Sequence, residues 1–447
     1  MQSALATVTL AYWAFMLTDG ALRMLVLLHF HALGFTPLQL AWLFLFYEIA
    51  GVATNLVAGF LGARFGLNTT LFAGLLLQVL ALLALAELDP GWSLVASVAF
   101  VATAQGAAGV AKDLTKTGAK SAVRQLATAT SREGGLFRLV AVLTGSKNAI
   151  KGLGFFIGTL LLGVLGFRDA LFALALLLCT VFVAVTLRPP RGLGTGRKGV
   201  RPGEVFSSSS AINRLSAARV FLFGARDTWF VVGVPIFLSD ALTFNAGMDP
   251  AQAFALTGAF MAFWIMGYGA VQSAAPALLG TAGQSLVGSI EMARRWSSTL
   301  ALLITLLAIV AWIEGDSATP AFTVTLVIGL LAFGVVFAIN SSLHSYLILA
   351  LAGADRLSMD VGFYYSANAV GRLFGTLLSG LSYQYGGLSA CLSIAALMAL
   401  GSRICAGRLD AAGVDEADLD EADVGATGMN DESSPGGGAP VIIEHPT

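Results

Sequence analysis

Residues 152–187 read GLGFFIGTLLLGVLGFRDALFALALLLCTVFVAVTL. The only charges in this stretch, Arg168 and Asp169, stand together near its middle. Sixteen uncharged residues precede the pair and eighteen follow it, about 24 and 27 Å of helix at 1.5 Å per residue, close to a hydrocarbon core of about 30 Å. The stretch therefore predicts two membrane-spanning helices, over 145–166 and 168–187, joined by a tight charged turn.

The same pattern recurs along the chain. Upstream it predicts spans over 8–30, 39–61, 69–86 and 93–112; downstream, over 220–239, 252–275, 297–313, 321–343, 362–385 and 387–405. Of the 447 residues, 57% are apolar and 11% charged, against roughly 25% charged in soluble domains. Mean hydropathy is +0.81. A soluble core cannot absorb that surplus of apolar surface, which excludes soluble enzymes, nucleic-acid binders and secreted disulfide scaffolds. The fold class expected is an all-α integral membrane protein of twelve transmembrane helices in two six-helix bundles. Its first span is expected to be retained, because no basic segment or small-residue cleavage site accompanies it.

Charge divides the chain further. Residues 188–219 form a basic stretch with Pro189, Pro190, Pro202 and the run Ser207–Ser210, which reads as a cytoplasmic linker. The domains expected are a bundle over 1–187, the linker over 188–219, a bundle over 220–405 and an acidic disordered tail over 406–447. That tail holds ten acidic residues against Arg408 alone. With the N-terminus inside, the outer loops carry a single base, Arg168, which places both termini in the cytoplasm.

An internal repeat supports the two-bundle reading. Gly158-Thr159-Leu160-Leu161-Leu162-Gly163 in span five is echoed by Gly375-Thr376-Leu377-Leu378-Ser379-Gly380 in span eleven. Spans one and seven each hold an Asp beside or near an Arg, Asp19/Arg23 and Arg226/Asp227. A duplication around a linker is what a rocking transporter needs. The pairs Gly154/Gly158 and Gly371/Gly375 are small-xxx-small spacings that allow close helix packing.

Charges at membrane depth carry the functional signal, since each costs about 2.5–3.5 kcal/mol to insert. Asp19, Glu48 and Arg372 lie roughly 15 Å along their helices, near the midplane. Asp19 and Arg23, one turn apart, could neutralise each other; alternatively Arg23 and Arg226, one from each half, form a clamp for an oxyanion, which the planar guanidinium fork suits. Arg226 and Asp227 are adjacent and are expected to pair poorly. Lys147 and Lys151 share the face of Gly154 and Gly158 and point inward, though Lys147 could instead snorkel to the interface. Lys112, Asp113 and Lys116 end span four, where snorkelling and local pairing are favoured over substrate contact. Glu48 is either a proton carrier or the partner of a base on another span. Tyr365 and Asn368 precede Arg372 and offer neutral hydrogen bonds or core packing. Cys179, Cys391 and Cys405 read as inert thiols; no metal site, cofactor or catalytic motif is indicated.

Gly59-Phe60-Leu61-Gly62-Ala63-Arg64-Phe65-Gly66 resembles, in degraded form, the signature loop of the major facilitator superfamily. Longer strings carry a closer resemblance: YWAFMLTDGALRMLVL from Tyr12, FLFYEIAGVATNL from Phe44, GVAKDLTKTGAKS from Gly109, LTGSKNAIKGLGFF from Leu143 and AINRLSAARVFLFGARDTWFVV from Ala211. Together they resemble the organoarsenical-efflux permease family, ArsJ, of bacterial arsenic-resistance operons. The resemblance spans residues 5–405, apart from the loop 276–296, and leaves out the acidic tail. It implies a bacterial inner-membrane exporter of 1-arseno-3-phosphoglycerate. Glyceraldehyde-3-phosphate dehydrogenase forms that ester when arsenate replaces phosphate, which makes the enzyme a functional partner. Organophosphate antiporters of the same superfamily use one arginine from helix one and one from helix seven, which here would be Arg23 and Arg226. A general organophosphate antiporter and a multidrug–proton antiporter of the same fold are the alternatives.

The orientation has a direct check. In a background lacking Cys179, Cys391 and Cys405, a Ser433→Cys variant should resist a membrane-impermeant thiol reagent in intact cells and react after permeabilisation. Labelling in intact cells would invert the topology.

Overall fold

The computed structural model describes residues 2–65, 67–89, 91–128, 133–187, 207, 209–279, 286–315, 318–352 and 357–409. The expected disordered tail from residue 410 and most of the expected linker lie outside them, and the side chains of the signature-like loop 59–66 are likewise outside the description. The described elements are all helical. They run α1 (Gln2–Ala32), α2 (Pro37–Leu43), α3 (Leu45–Phe65), α4 (Leu67–Ala86), α5 (Leu94–Thr128), α6 (Glu133–Leu187), α7 (Ser210–Phe230) and α8 (Gly233–Asp240). A π-helical turn over Ala241–Asn245 follows, then α9 (Pro250–Leu279), α10 (Leu286–Glu314), α11 (Pro320–Leu351) and α12 (Leu357–Gly407).

The exterior is apolar where that of a water-soluble protein is polar, and several charges lie within the otherwise apolar interior. Val164, Leu176, Ile313 and Ile328 face outward, whereas Asp19, Glu48, Asp113 and Asp227 are buried. An apolar exterior over a charged interior is the arrangement that lipid imposes.

Ten described segments are long and apolar enough to cross a membrane. Two of them, Ser146–Leu187 and Asp360–Gly407, are 42 and 48 residues long. At 1.5 Å per residue each exceeds about 60 Å, twice the hydrocarbon thickness, and each covers two of the expected spans. Both are interrupted by glycine: Gly166 at φ 78°, and Gly386–Gly387 with Gly387 at φ 62°. A left-handed backbone is cheap only without a Cβ, so these residues locate the breaks.

The structure corrects two boundaries. Helix α7 begins at Ser210, so residues 210–219, expected in the linker, are helical and carry Arg219 into the protein. Ser209 caps this helix by accepting a hydrogen bond from the Ile212 N–H, and Ile212, Leu215 and Ala218 are buried along one face. The serine run is therefore a helix start. Likewise α10 begins at Leu286, well before the expected 297, and its extra turns are laced by Glu291 pairing with Arg294 and Arg295.

Glycine sets how the helices meet. Added Cβ atoms at Gly154 and Gly158 would collide with the α1 backbone at Leu17 and Ala21. At Gly371 the added Cβ would collide with the α7 backbone at Val220, and at Gly375 it would collide with the Asp227 Cβ and crowd the Gly224 backbone at 3.0 Å. The contact is thus made twice, by α6 on α1 and by α12 on α7. Val220 and Gly224 stand 203 positions after Leu17 and Ala21, and the same step carries Arg23 onto Arg226. The two arginines occupy equivalent places.

At one end of the molecule, Thr36 caps α2 through a reciprocal capping box with Gln39, and Pro37 opens the helix. This turn meets α12: the Leu38 N–H donates to Gln384 Oε1 at 3.1 Å, and Gly380 packs on Pro37 and Ala41. His31 and Asp240 pair nearby at 2.8 Å. Elements from the two ends of the sequence thereby close this end.

Gly158→Ala and Gly375→Ala should each destabilise the purified protein by about 1–3 kcal/mol through steric clash. Gly267→Ala, where a Cβ meets nothing within 4 Å, should be neutral or stabilising. Thermal unfolding in detergent distinguishes these outcomes; equal effects at all three positions would contradict the packing account.

Candidate functional site

Helices α1, α3, α5, α6, α7 and α12 converge around one buried charge network. Its centre is Glu48 on α3. Arg23 of α1 donates from Nη2 to Glu48 Oε1 at 2.6 Å, and Arg372 of α12 donates from Nη2 to the same oxygen at 2.7 Å. Arg372 Nε also lies 3.4 Å from Asp227 Oδ2, at ion-pair distance without hydrogen-bond geometry. Arg226 binds Asp227 through the other carboxylate oxygen. A second arm starts at Asp19, which accepts from the Tyr47 hydroxyl at 2.6 Å and from Lys151 Nζ at 2.9 Å. A third holds Asp113, which accepts from Thr54 at 2.7 Å and faces Lys116 at 3.5 Å. Lys116 also donates to Asn55, and Lys112 lies over the Tyr47 ring, 4.1 Å from its centroid.

Helical spacing explains how these side chains arrive. Asp19 and Arg23 share one face of α1, yet they do not neutralise each other: Asp19 turns to α6 and Arg23 to α3. The close α1–α6 approach set by Gly154 and Gly158 brings Lys151 within reach of Asp19. Arg226 and Asp227, expected to pair poorly as neighbours, do pair. The arginine stem is long enough to fold back, and the aromatic rings of Phe223 and Phe337 support its guanidinium at 4.8 and 5.4 Å. Glu48 is the partner of bases on two other helices.

The remaining expected residues sit around this centre. Lys147 is half-buried one turn from Lys151. Tyr365 lies beneath Lys116, whose Nζ is 5.6 Å from the ring centroid. Asn368 Oδ1 is buried without a hydrogen-bond partner. Asp113 faces Lys112 and Lys116 of its own helix and Thr54 of α3. Asn148 and Gln272 meet at 3.5 Å between α6 and α9.

Sequence reasoning missed Tyr47, Thr54 and Asn55, neutral residues whose cross-helix bonds leave no linear signature. It also missed Arg219, assigned to the linker and in fact buried. The seven-residue spacing from Arg219 to Arg226, which returns to one helix face, was the available signal.

Chemically, this is a site of exchangeable ion pairs. Among the described residues of the network, six cations (Arg23, Lys112, Lys116, Lys151, Arg226 and Arg372) face four carboxylates (Asp19, Glu48, Asp113 and Asp227). An oxyanion can replace a carboxylate as the partner of an arginine, because both present the same paired oxygens to the fork. Among the described residues, no three His, Cys, Asp or Glu side chains gather as metal ligands.

The chain matches the sequence pattern of the Major Facilitator Superfamily over residues 8–346. No curated protein is significantly similar to it in sequence. Its structure resembles that of the nucleoside transporter NupG, with a TM-score of 0.64 at 15% identity, covering 91% of this chain and 99% of that one. It also resembles a bacterial homologue of the iron transporter ferroportin in its inward-facing state, with a TM-score of 0.62 at 16% identity, covering 92% and 100%. A POT family transporter in complex with a thioalcohol-conjugated peptide gives a TM-score of 0.68 at 12% identity, covering 90% and 95%. At such identities the likeness speaks for the fold alone. With the family pattern matched across most of its length and a transporter fold around a buried charge network, this chain belongs to the Major Facilitator Superfamily.

Proposed function

We propose that this chain is a secondary active exporter of a small organic oxyanion, and that its substrate is the arsenate–phosphate ester 1-arseno-3-phosphoglycerate. The observation that carries the reading is the surplus of two cations in the network, where six buried or half-buried bases face four buried carboxylates. A surplus of that sign suits a doubly charged phosphate-like group and opposes the cationic substrates of a multidrug–proton antiporter. The arsenic assignment comes from the resemblance around the charged positions; the oxyanion chemistry would equally serve a general organophosphate antiporter. Glyceraldehyde-3-phosphate dehydrogenase would supply the ester.

In this reading the chain crosses a bacterial inner membrane twelve times, the two long segments each crossing twice. The bundles span residues 1–187 and 210–405, with both termini cytoplasmic. The end closed by His31–Asp240 and Leu38–Gln384 then faces outward. Substrate arriving from the cytoplasm competes with Glu48 for Arg23 and Arg372, aided by Arg226, Lys151 and Lys147, with Tyr365 and Asn368 adding neutral contacts. Because Glu48 joins α3 to α12, displacing it loosens a bond between the halves and couples occupancy to rocking. Asp19, Asp113 and Asp227 hold the bases in place; a freed Glu48 is the natural proton acceptor for the return step.

Everted membrane vesicles test this. Arsenate, glyceraldehyde 3-phosphate, NAD and the dehydrogenase are supplied outside, and arsenic inside is counted. Accumulation should require every component and should not be competed away by glycerol 3-phosphate. Uptake of labelled organophosphate without arsenic would overturn the arsenic assignment and keep the oxyanion site. In the same assay Arg226→Gln and Arg372→Gln should each lower uptake at least tenfold at unchanged membrane abundance; normal export by both variants would remove the clamp.

A further inference from the structure

Arg219 stands apart from the network just described. Its side chain is only 4% exposed. From Nη1 it donates to the Ser341 carbonyl at 3.0 Å and to the Ser341 hydroxyl at 3.1 Å. Its guanidinium lies over the rings of Phe223 and Tyr364, at 4.2 and 5.1 Å from their centroids. No carboxylate is among these described contacts. Among the described residues its buried Nε–H has no hydrogen-bond partner. One turn along α11 from Ser341, His344 is fully buried, and among the described residues neither of its ring nitrogens has a hydrogen-bond partner. A guanidinium held out of water without a counter-charge is costly, and unused donors beside it add to the cost. Both costs are relieved by an anion that accepts from Arg219 Nε and from the imidazole N–H.

The position of Arg219 says which anion. Arg219 and Arg226 are seven residues apart on the same face of α7 and contact the same ring: Arg226 lies 4.8 Å from the Phe223 centroid. Those two distances limit the separation of the guanidinium carbons to about 9 Å. That separation is within the reach of the two ends of one short molecule with an oxyanion at each end. Arg226 already has Asp227 as a counter-ion, whereas among the described residues no carboxylate pairs with Arg219, so the second pole is the one left to receive a charge.

We propose that Arg219, with His344, forms a second oxyanion subsite that takes the far end of a two-ended substrate whose near end occupies the central network. The subsite makes the transporter prefer bis-oxyanions to mono-oxyanions. The proposal rests on the reading of the central network as an oxyanion site, and it adds that Arg219 decides between one-ended and two-ended ligands.

A matched pair of probes tests it: propyl phosphate with one phosphate and 1,3-propanediol bisphosphate with two. Dissociation constants are measured by titration calorimetry on the full-length protein in detergent. The wild type should bind the bisphosphate at least tenfold more tightly. Arg219→Gln should abolish that preference while leaving propyl phosphate within about twofold of wild type. Arg219→Met removes the charge while filling the space, and it provides the same reading where the glutamine variant fails to accumulate. A structural role for Arg219 would weaken both probes together and would overturn the proposal, as would a preference retained in either variant. Those two results leave the central site standing. Absence of propyl phosphate binding to the wild type would instead overturn the reading of the central network, and this proposal with it.

Discussion

One buried carboxylate oxygen, Glu48 Oε1, accepts from two arginines on different helices, one near the start of the sequence and one near its end. Such a pair is poor glue. Desolvating the ions offsets most of the Coulomb gain, and apolar residues of similar volume often serve stability equally well. Removing one partner from a buried pair, by contrast, costs about 3–5 kcal/mol. A carboxylate with two arginines is thus held firmly, yet each arginine can be offered another oxyanion in its place. The remaining charges follow from that arrangement. Asp227 compensates Arg226 and approaches Arg372, and Asp19 compensates Lys151.

The packing serves this centre. Gly154 and Gly158 let α6 press on α1, and Gly371 and Gly375 let α12 press on α7. Without those approaches Lys151 would not reach Asp19, nor Arg372 both Glu48 and Asp227. The repeated contact also accounts for Arg23 and Arg226 as counterparts. Their surroundings differ, however: Arg23 binds an acid from another helix, and Arg226 binds its own neighbour. Within the charge network this asymmetry makes Arg372 the arginine that reaches Glu48 from the second half and leaves Arg226 beside the aromatic rings of Phe223 and Phe337.

Much of this was legible in the linear pattern. Apolar runs marked the membrane segments, the Arg168–Asp169 turn marked a reversal beside the break at Gly166, and the spacing of glycines marked the packed faces. Membrane depth singled out Asp19, Glu48 and Arg372 as charges requiring a partner. The pattern did not show which partner. Spacing along one helix cannot reveal that Asp19 turns from Arg23 toward α6, or that Arg226 folds back on Asp227. Arg219 was obscured for a local reason: four serines after a proline-rich stretch look like linker, yet Ser209 is a helix cap and the next ten residues are helical. Tyr47, Thr54 and Asn55 escaped notice because neutral residues carry no insertion penalty large enough to flag them.

The central claim is that an oxyanion substrate displaces Glu48 from Arg372 and so releases one half from the other. Spin labels at Leu33→Cys and Phe244→Cys, exposed positions flanking the His31–Asp240 pair, report the closed end by pulsed electron resonance in a background without native cysteines. Adding the dehydrogenase mixture that generates the ester should lengthen the label separation in the wild-type background and leave it unchanged with Arg372→Gln. Identical distance distributions with and without the ester in both backgrounds would contradict the account.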